Sequence, residues 1–164
     1  MAPLKPILLV EDSPNDVELT LAALEKSRLA NPVVVARDGV EALDHLFRRG
    51  DAGPDGAGAP PLPAVVLLDI KLPRVDGIEV LERVKGDPRT RHVPVVMLTS
   101  SREEQDLLRS YGLGVNAFVV KPVGHREFFE AIRAIGAFWA VLNEPHPSGA
   151  AGAGPGATPP GGGA

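Results

Sequence analysis

The sequence contains no cysteine, so it offers no disulfide, no thiol nucleophile and no cysteine ligand for a metal. Aromatic residues make up only 4% of its 164 residues, and the net charge of −4 leaves no basic surface of the kind that binds nucleic acid. No apolar run approaches the roughly 20 residues that span a bilayer, and the start MAPLKPILLVED is not a signal peptide. These absences predict a soluble cytoplasmic protein with neither nucleic acid nor a membrane among its partners.

Glycine and proline, in contrast, are plentiful, with 18 and 17 residues, and they are concentrated in two segments, 50–63 and 143–164. Segments of this composition bury too little apolar surface to order a chain. We therefore expect one compact domain over 4–142, with a flexible loop at 50–63 and a disordered tail at 143–164. This length leaves no room for a second folded domain that could serve as a DNA-binding or catalytic output module.

Five short apolar runs have the length of β-strands and are rich in β-branched residues: 7–10, 33–36, 65–68, 95–98 and 117–120. Their apolar residues do not alternate with polar ones, which is typical of strands that helices cover on both faces. Helical patterns lie between the runs. This order predicts an α/β protein of the (βα)₅ type, with a doubly wound parallel sheet.

Several sequence signals indicate where the helices begin. Ser13-Pro14-Asn15-Asp16 reads as a capping box with proline in the first helical position, and Ser101 with Glu104 reads as a second. Apolar residues at helical spacing predict further helices over 39–49, 77–86 and about 125–142. In the helix after Ser101, the apolar residues are Leu107, Leu108 and Tyr111.

Polar side chains follow four of the apolar runs, at the edge of a parallel sheet where ligands bind. Glu11 and Asp12 follow the first run, Asp69 the third, Thr99 the fourth and Lys121 the fifth. Carboxylates crowded at one edge repel one another, and Mg²⁺ suits one or two carboxylates together with a carbonyl and water. A hydroxyl and an ammonium beside them could hold the oxygens of a phosphoryl group, so this edge is suited to phosphoryl transfer.

The pattern also suggests which carboxylate reacts. Asp69 follows the central strand, whereas Glu11 and Asp12 are adjacent, so at least one of that pair is better placed to bind a metal ion. We predict that Asp69 is the nucleophile and forms an aspartyl phosphate.

These motifs resemble the receiver domain of two-component response regulators. The resemblance rests on ILLVED at 7–12, VVLLDIKLPRVDG at 65–77, VVMLTSS at 95–101 and AFVVKP at 117–122. Two further segments, RSYGLGVNAFVVKPV at 109–123 and AIGAFW at 134–139, are similar to single-domain regulators that partner phytochrome-type histidine kinases. The resemblance implies a flavodoxin-like fold with strand order 2-1-3-4-5.

The resemblance also implies a role for each site residue. Asp69 would accept a phosphoryl group from a sensor histidine kinase, and Thr99 and Lys121 would bind its oxygens. Phe118 would turn inward as Thr99 moves, and the bond between Lys121 and Pro122 would be cis. The implied Mg²⁺ ligands are Glu11, Asp12, Asp69 and the backbone carbonyl of Lys71. Such a protein catalyses only its own phosphorylation and dephosphorylation, and phosphorylation changes partner binding or dimerisation.

The last helix has a wide apolar face. Phe128, Ile132, Ile135, Trp139 and Leu142 fall on one stripe, with Phe129 and Phe138 at its sides. A helix packed deeply between the sheet and a neighbouring helix would use this width. We predict instead a homodimer through the last helix and the preceding strand, with Phe129, Phe138 and Trp139 in the interface.

Three alternative functions make different demands on the sequence. A magnesium phosphatase with an aspartate nucleophile needs a second acid two residues on, where this sequence has Lys71. A phosphorelay intermediate would have the same site and differ only in the next acceptor. An interaction scaffold that is never phosphorylated would not need the acceptor residues that are present here.

Overall fold

The structure is a computed structural model that describes residues 5–26, 30–47, 62–121 and 126–142, with the backbone alone for 136–142. Strands and helices alternate along this part of the chain. The strands are β1 (Ile7–Val10), β2 (Val33–Ala36), β3 (Val65–Asp69), β4 (Val95–Thr99) and β5 (Ala117–Val120). The helices are α1 (Pro14–Lys26), α2 (Gly39–Phe47), α3 (Gly77–Gly86), α4 (Arg102–Ser110) and α5 (Arg126–Leu142).

The five strands form one parallel sheet in the order β2-β1-β3-β4-β5, which confirms the predicted flavodoxin-like topology. The register aligns the strand ends, because Val10 pairs with Leu68, Asp69 with Leu98 and Thr99 with Val120. Consequently the residues at the ends of β3 and β4, and those that follow β1 and β5, come to the same edge of the sheet.

Helices cover both faces of the sheet, and each face has its own apolar core. On one face α2, α3 and α4 pack over alternate strand residues, including Leu8, Val66, Leu68 and Met97. On the other face α1 and α5 pack over the intervening residues, including Ile7, Leu9, Leu67 and Leu98. The three central strands are therefore buried throughout, as their unbroken apolar runs predicted.

The prediction of burial on both faces was wrong for the two outer strands. Val33, Val34 and Val35 of β2 are only half-buried, and Val120 of β5 is 51% exposed. Each outer strand has a neighbouring strand on one side only, so fewer side chains surround it. Among the apolar residues at α4, Leu108 is buried, whereas Leu107 and Tyr111, the residue that follows the helix, are about half exposed.

The helix starts follow the sequence signals. Ser101 is the N-cap of α4 and accepts a hydrogen bond from the backbone N–H of Glu104. Asp76 is the N-cap of α3 and accepts from the N–H of Glu79 at 3.0 Å. α1 begins at Pro14, as predicted. α2 is described over Gly39–Phe47, and positions 48 and 49 of its predicted range lie outside the described residues.

Several predictions lie outside the described residues, among them the tail at 143–164, the loop at 50–63 except for its last two residues, and the peptide bond to Pro122. No helix among the residues described is both long enough and apolar enough to cross a membrane.

Candidate phosphoacceptor site

The site lies where the sheet ladder ends, and backbone hydrogen bonds hold its residues in line. The N–H of Glu11 donates to the carbonyl of Ala36 at 3.0 Å, which extends the pairing of β1 by one residue. In the same way the N–H of Lys121 donates to the carbonyl of Thr99 at 2.7 Å. Glu11 and Lys121 therefore leave the sheet on either side of Asp69, the last residue of β3.

Lys121 is at the centre of the site. Its ammonium donates to Glu11 Oε2 at 2.8 Å and to Asp69 Oδ2 at 3.1 Å. A third hydrogen bond, also 3.1 Å long, goes to Asp16 Oδ2 on α1. The Lys121 side chain is 13% exposed and that of Glu11 is 1% exposed, so these charges interact with little screening by water.

Burial and neighbouring charge change the pKa values of this group. Burial raises the pKa of Glu11 to about 7, with the hydrogen bond from Lys121 opposing the rise and the charge of Asp69 adding to it. Burial alone would lower the pKa of Lys121, but the hydrogen bond to Glu11 and the charges of Asp69 and Glu11 outweigh it. The pKa of Lys121 therefore lies above its usual value, and the side chain stays an ammonium.

The predicted metal ligands form a cluster. Glu11, Asp12 and Asp69 each offer a carboxylate oxygen, and these oxygens lie within 4.8 Å of one another. Asp12 is exposed, whereas Glu11 and Asp69 are buried, so the cluster is open to solvent on one side. Carboxylate oxygens are the ligands that hard divalent cations prefer, and this donor set fits such an ion.

Asp16 belongs to the site, although its spacing from Ser13 predicted only a role in a capping box. The backbone N–H of Asp16 does donate to Ser13 Oγ, at 3.3 Å. In a capping box the N–H of Ser13 would donate to the side chain of Asp16, but here it donates to Glu11 Oε1 at 3.3 Å. A capping box usually has glutamate or glutamine at this position, so the shorter aspartate was a sequence signal that Asp16 has another role.

Thr99 lies at the end of β4, on the side of Asp69 away from Glu11, and is fully buried. Its hydroxyl accepts a long hydrogen bond of 3.4 Å from the amide of Gln105 on α4. The first turn of α4 is held to the same strand end, because Glu104 Oε1 accepts from the N–H of Ser100 at 2.6 Å. Gln105 was not identified from the sequence, where its position four residues after Ser101 carried no chemical signal.

Phe118 is half-buried and packs beside the core under α4. The guanidinium of Arg109 lies over its ring, 5.0 Å from the ring centre. A cavity of about 260 Å³ adjoins this pair between α4 and β5 and is also lined by Leu108, Leu113 and Val115. The ring of Phe118 therefore has open space beside it and a cation above it.

Gly77 positions the backbone on which Asp69 lies. Its N–H donates to the carbonyl of Ile70 at 2.8 Å, and a Cβ built at this position would collide with the carbonyl of Asp69. The helix predicted from residue 77 does begin there, with Asp76 as its N-cap. The close approach of Gly77 to the carbonyl of Asp69 could be seen only in the structure.

The remaining candidates have other neighbours. The ammonium of Lys71 is exposed and 3.9 Å from Glu104 Oε2, and the metal-binding role of its carbonyl stays a prediction. Phe129 of α5 is half-buried against the core, with the ammonium of Lys26 5.2 Å from its ring centre. The side chains of Phe138 and Trp139, the other predicted interface residues, lie outside the described part of the chain.

The fold and the site together define a class of protein. Residues 7–133 match the family model described as the response regulator receiver domain. The chain therefore belongs to the receiver-domain response regulators, as the four motifs suggested. Members of this family are signalling proteins that interact with histidine kinases.

Among the relatives are response regulators associated with phytochromes. Response regulator Rcp1 of Synechocystis is 37% identical over 137 residues, which cover 84% of this chain and 90% of Rcp1. The solved bacteriophytochrome response regulator AtBRR is 66% identical, with a TM-score of 0.67, over 87% of this chain and all of AtBRR. The phosphorylated cyanobacterial phytochrome response regulator RcpA is 36% identical, with a TM-score of 0.69, over 87% of this chain and 99% of RcpA. A solved form of Rcp1 contains Mn²⁺.

Proposed function

We propose that the protein is a single-domain response regulator whose Asp69 accepts a phosphoryl group from a histidine kinase. The observation that carries this proposal is the position of Lys121, whose ammonium contacts both Glu11 and Asp69 within 3.1 Å. An ammonium beside the acceptor can bind a phosphoryl oxygen as soon as the group arrives, because it needs to move very little. Phosphoryl transfer depends mostly on this kind of positioning and charge stabilisation.

The reaction needs no general base in this chain. A carboxylate oxygen of Asp69 forms a bond to phosphorus while the P–N bond of the phosphohistidine breaks, and the bonding electron pair stays on the imidazole nitrogen. Asp69 has an exposed fraction of only 7%, so the donor must reach it at the open edge of the sheet. This geometry supports a small phosphodonor or the tip of a kinase side chain as the donor.

Glu11, Asp12 and Asp69, with the carbonyl of Lys71, would hold Mg²⁺. When bound, Mg²⁺ would neutralise charge on the phosphoryl oxygens. Within the chain, burial of Glu11 beside Asp69 already raises the free energy of its carboxylate, as its raised pKa indicates. Three carboxylate oxygens within 4.8 Å of one another favour a cation, and these hard ligands favour Mg²⁺ over softer metals.

Thr99 and Phe118 would carry the signal away from the acceptor. A phosphoryl group at Asp69 adds negative charge and strong hydrogen-bond acceptors. The Thr99 hydroxyl has only a long hydrogen bond to Gln105 to give up, and the cavity beside Phe118 leaves room for the ring to move. These features support a switch in which Thr99 turns toward the phosphoryl group and Phe118 turns inward.

A phytochrome-type histidine kinase is the partner we favour. Two of the relatives, AtBRR and RcpA, are named as phytochrome response regulators, and AtBRR shares 66% of its residues with this chain. Phosphotransfer from a purified light-sensing kinase should therefore be faster than from unrelated kinases. Equal transfer from all of them would contradict the pairing.

Homodimerisation through α5 and β5 is the output state we propose. Val120 on β5 is 51% exposed although it is apolar, and it lines a pocket together with Glu127 and Phe128 near the start of α5. Light scattering over a range of concentrations should show a mass that rises toward the dimer. A monomer mass at every concentration would contradict this part of the proposal.

The acceptor itself is tested by intact mass spectrometry after incubation with a small phosphodonor, with and without Mg²⁺. Wild type should gain one phosphoryl group only with Mg²⁺, and Asp69→Ala should gain none. Asp87→Ala is the matched control, because it removes an aspartate far from the sheet edge and should be phosphorylated like wild type. No gain by wild type under any condition would refute the proposed function.

A further inference from the structure

The fourth carboxylate of the site, Asp16, has no part in the reaction as described above. Its carboxylate turns away from the helix start, where Glu11 takes over the hydrogen bond from the N–H of Ser13. It reaches instead across to β5 and accepts from Lys121 at 3.1 Å. Its side chain is 23% exposed, so it stands between the buried cluster and solvent.

Asp16 and Asp69 compete for the same ammonium. Each places an oxygen 3.1 Å from Lys121 Nζ, so these two oxygens are at most about 6 Å apart. That separation is shorter than the screening length of about 8 Å at physiological salt, so the two carboxylates repel each other. Phosphorylation of Asp69 adds more negative charge at the same place and increases this repulsion.

We propose that Asp16 is a positioning residue that sets how strongly Lys121 holds the phosphoryl group, and so how long the phosphorylated state lasts. The inference rests on the proposed function of Asp69. Asp16 keeps the ammonium at the acceptor and also takes part of its charge. The same carboxylate makes the site more negative and so favours a divalent cation.

This role predicts that the site holds the phosphoryl group more strongly, and Mg²⁺ more weakly, when Asp16 loses its charge. In Asp16→Asn, the phosphoryl group meets less repulsion and a less shared ammonium, so hydrolysis of the phosphorylated form slows by about threefold or more. In that hydrolysis a water oxygen bonds to phosphorus and the P–O bond to Asp69 breaks, releasing phosphate and the carboxylate. The dissociation constant for Mg²⁺ should rise by about threefold, because one negative charge has left the site.

The control is Glu18→Gln on the same helix. Glu18 is exposed and its substitution changes the net charge by the same amount, so long-range effects of charge are matched. Asp16→Glu restores the charge and should return both quantities toward their wild-type values. A purely structural role for Asp16 would instead misplace Lys121, and would weaken Mg²⁺ binding and shorten the phosphorylated state together.

The experiment measures two quantities for these variants and wild type. Mg²⁺ binding is followed by calorimetry, and loss of the phosphoryl group is followed by intact mass at saturating Mg²⁺ after the donor is removed. The proposal is supported if Asp16→Asn, and not Glu18→Gln, binds Mg²⁺ more weakly and keeps the phosphoryl group longer than wild type. It is overturned if Mg²⁺ binding and retention of the phosphoryl group weaken together or strengthen together, or if both values equal those of Glu18→Gln. If wild type takes up no phosphoryl group, the proposed function fails, and an Mg²⁺ affinity of Asp16→Asn equal to that of Glu18→Gln overturns this inference separately.

Discussion

The two sides of Asp69 are held in very different ways. On the side of α1, Lys121 joins Glu11, Asp16 and Asp69 by three hydrogen bonds of 2.8–3.1 Å between charged groups. On the side of α4, Thr99 accepts one long hydrogen bond from Gln105, and Phe118 is half-buried beside a cavity. We call these the charged side and the switch side.

The difference teaches how one small domain can combine fixed chemistry with movement. Charge-assisted hydrogen bonds in a buried cluster are about twice as strong as neutral ones, so the charged side keeps its geometry. The contacts of Thr99 and Phe118 are weak enough for a new negative charge to outweigh them. We therefore expect substitutions on the charged side to change stability strongly, and substitutions on the switch side to change it little.

The largest effect is expected for Lys121→Met, which removes the ammonium and leaves Glu11 and Asp69 buried without their counter-ion. Breaking a buried ion pair in this way costs about 3 kcal/mol in the free energy of unfolding. Urea denaturation in the presence of EDTA measures the loss. Lys71→Met is the matched control, because Lys71 is 82% exposed and its loss should change stability by no more than about 0.5 kcal/mol.

A smaller effect is expected for Gly77→Ala, which acts through the backbone of Asp69. The added Cβ would collide with the Asp69 carbonyl, and the shift needed to relieve this should cost about 2 kcal/mol. Gly86→Ala on the same helix is the control, because a Cβ there has no atom within 4 Å among the described residues. Denaturation should show a loss for Gly77→Ala and none for Gly86→Ala. Equal stability of the two variants would contradict the close packing at Gly77.

The smallest effect is expected on the switch side, for Arg109→Ala. The loss of the cation–π contact with Phe118 at an exposed arginine should cost about 0.5 kcal/mol. Arg102→Ala, which removes an exposed arginine from the first turn of the same helix, controls for charge. A loss as large as that of Lys121→Met would show that the switch side is held as firmly as the charged side.

Much of this arrangement follows from the sequence, because it depends on local patterns. Unbroken apolar runs predicted the three buried strands, and residues at their ends predicted that Glu11, Asp12, Asp69 and Lys121 lie together. Because parallel strands end at the same edge of a sheet, the separate motifs could be predicted to form one site. The same patterns did not distinguish edge strands from central ones, so the burial of β2 and β5 was overestimated.

The contacts that sequence reasoning missed depend on how separate elements of the fold pack against one another. Asp16 reaches Lys121 over a sequence separation of 105 residues, and at the helix start its spacing from Ser13 had a simpler local interpretation. Gly77 against the Asp69 carbonyl and Arg109 over Phe118 depend on how loops and helices pack. Such contacts are set by three-dimensional packing, which no local pattern records.

The most direct test of the account is backbone hydrogen exchange of the wild-type protein with Mg²⁺, before and after phosphorylation by a small donor, with Asp69→Ala as the control. Exchange should change over 99–120, which contains the end of β4, α4 and β5, while α1 and β1 change little. Asp69→Ala should show no change on adding the donor. Changes concentrated in α1 and β1, with 99–120 unaffected, would contradict the account.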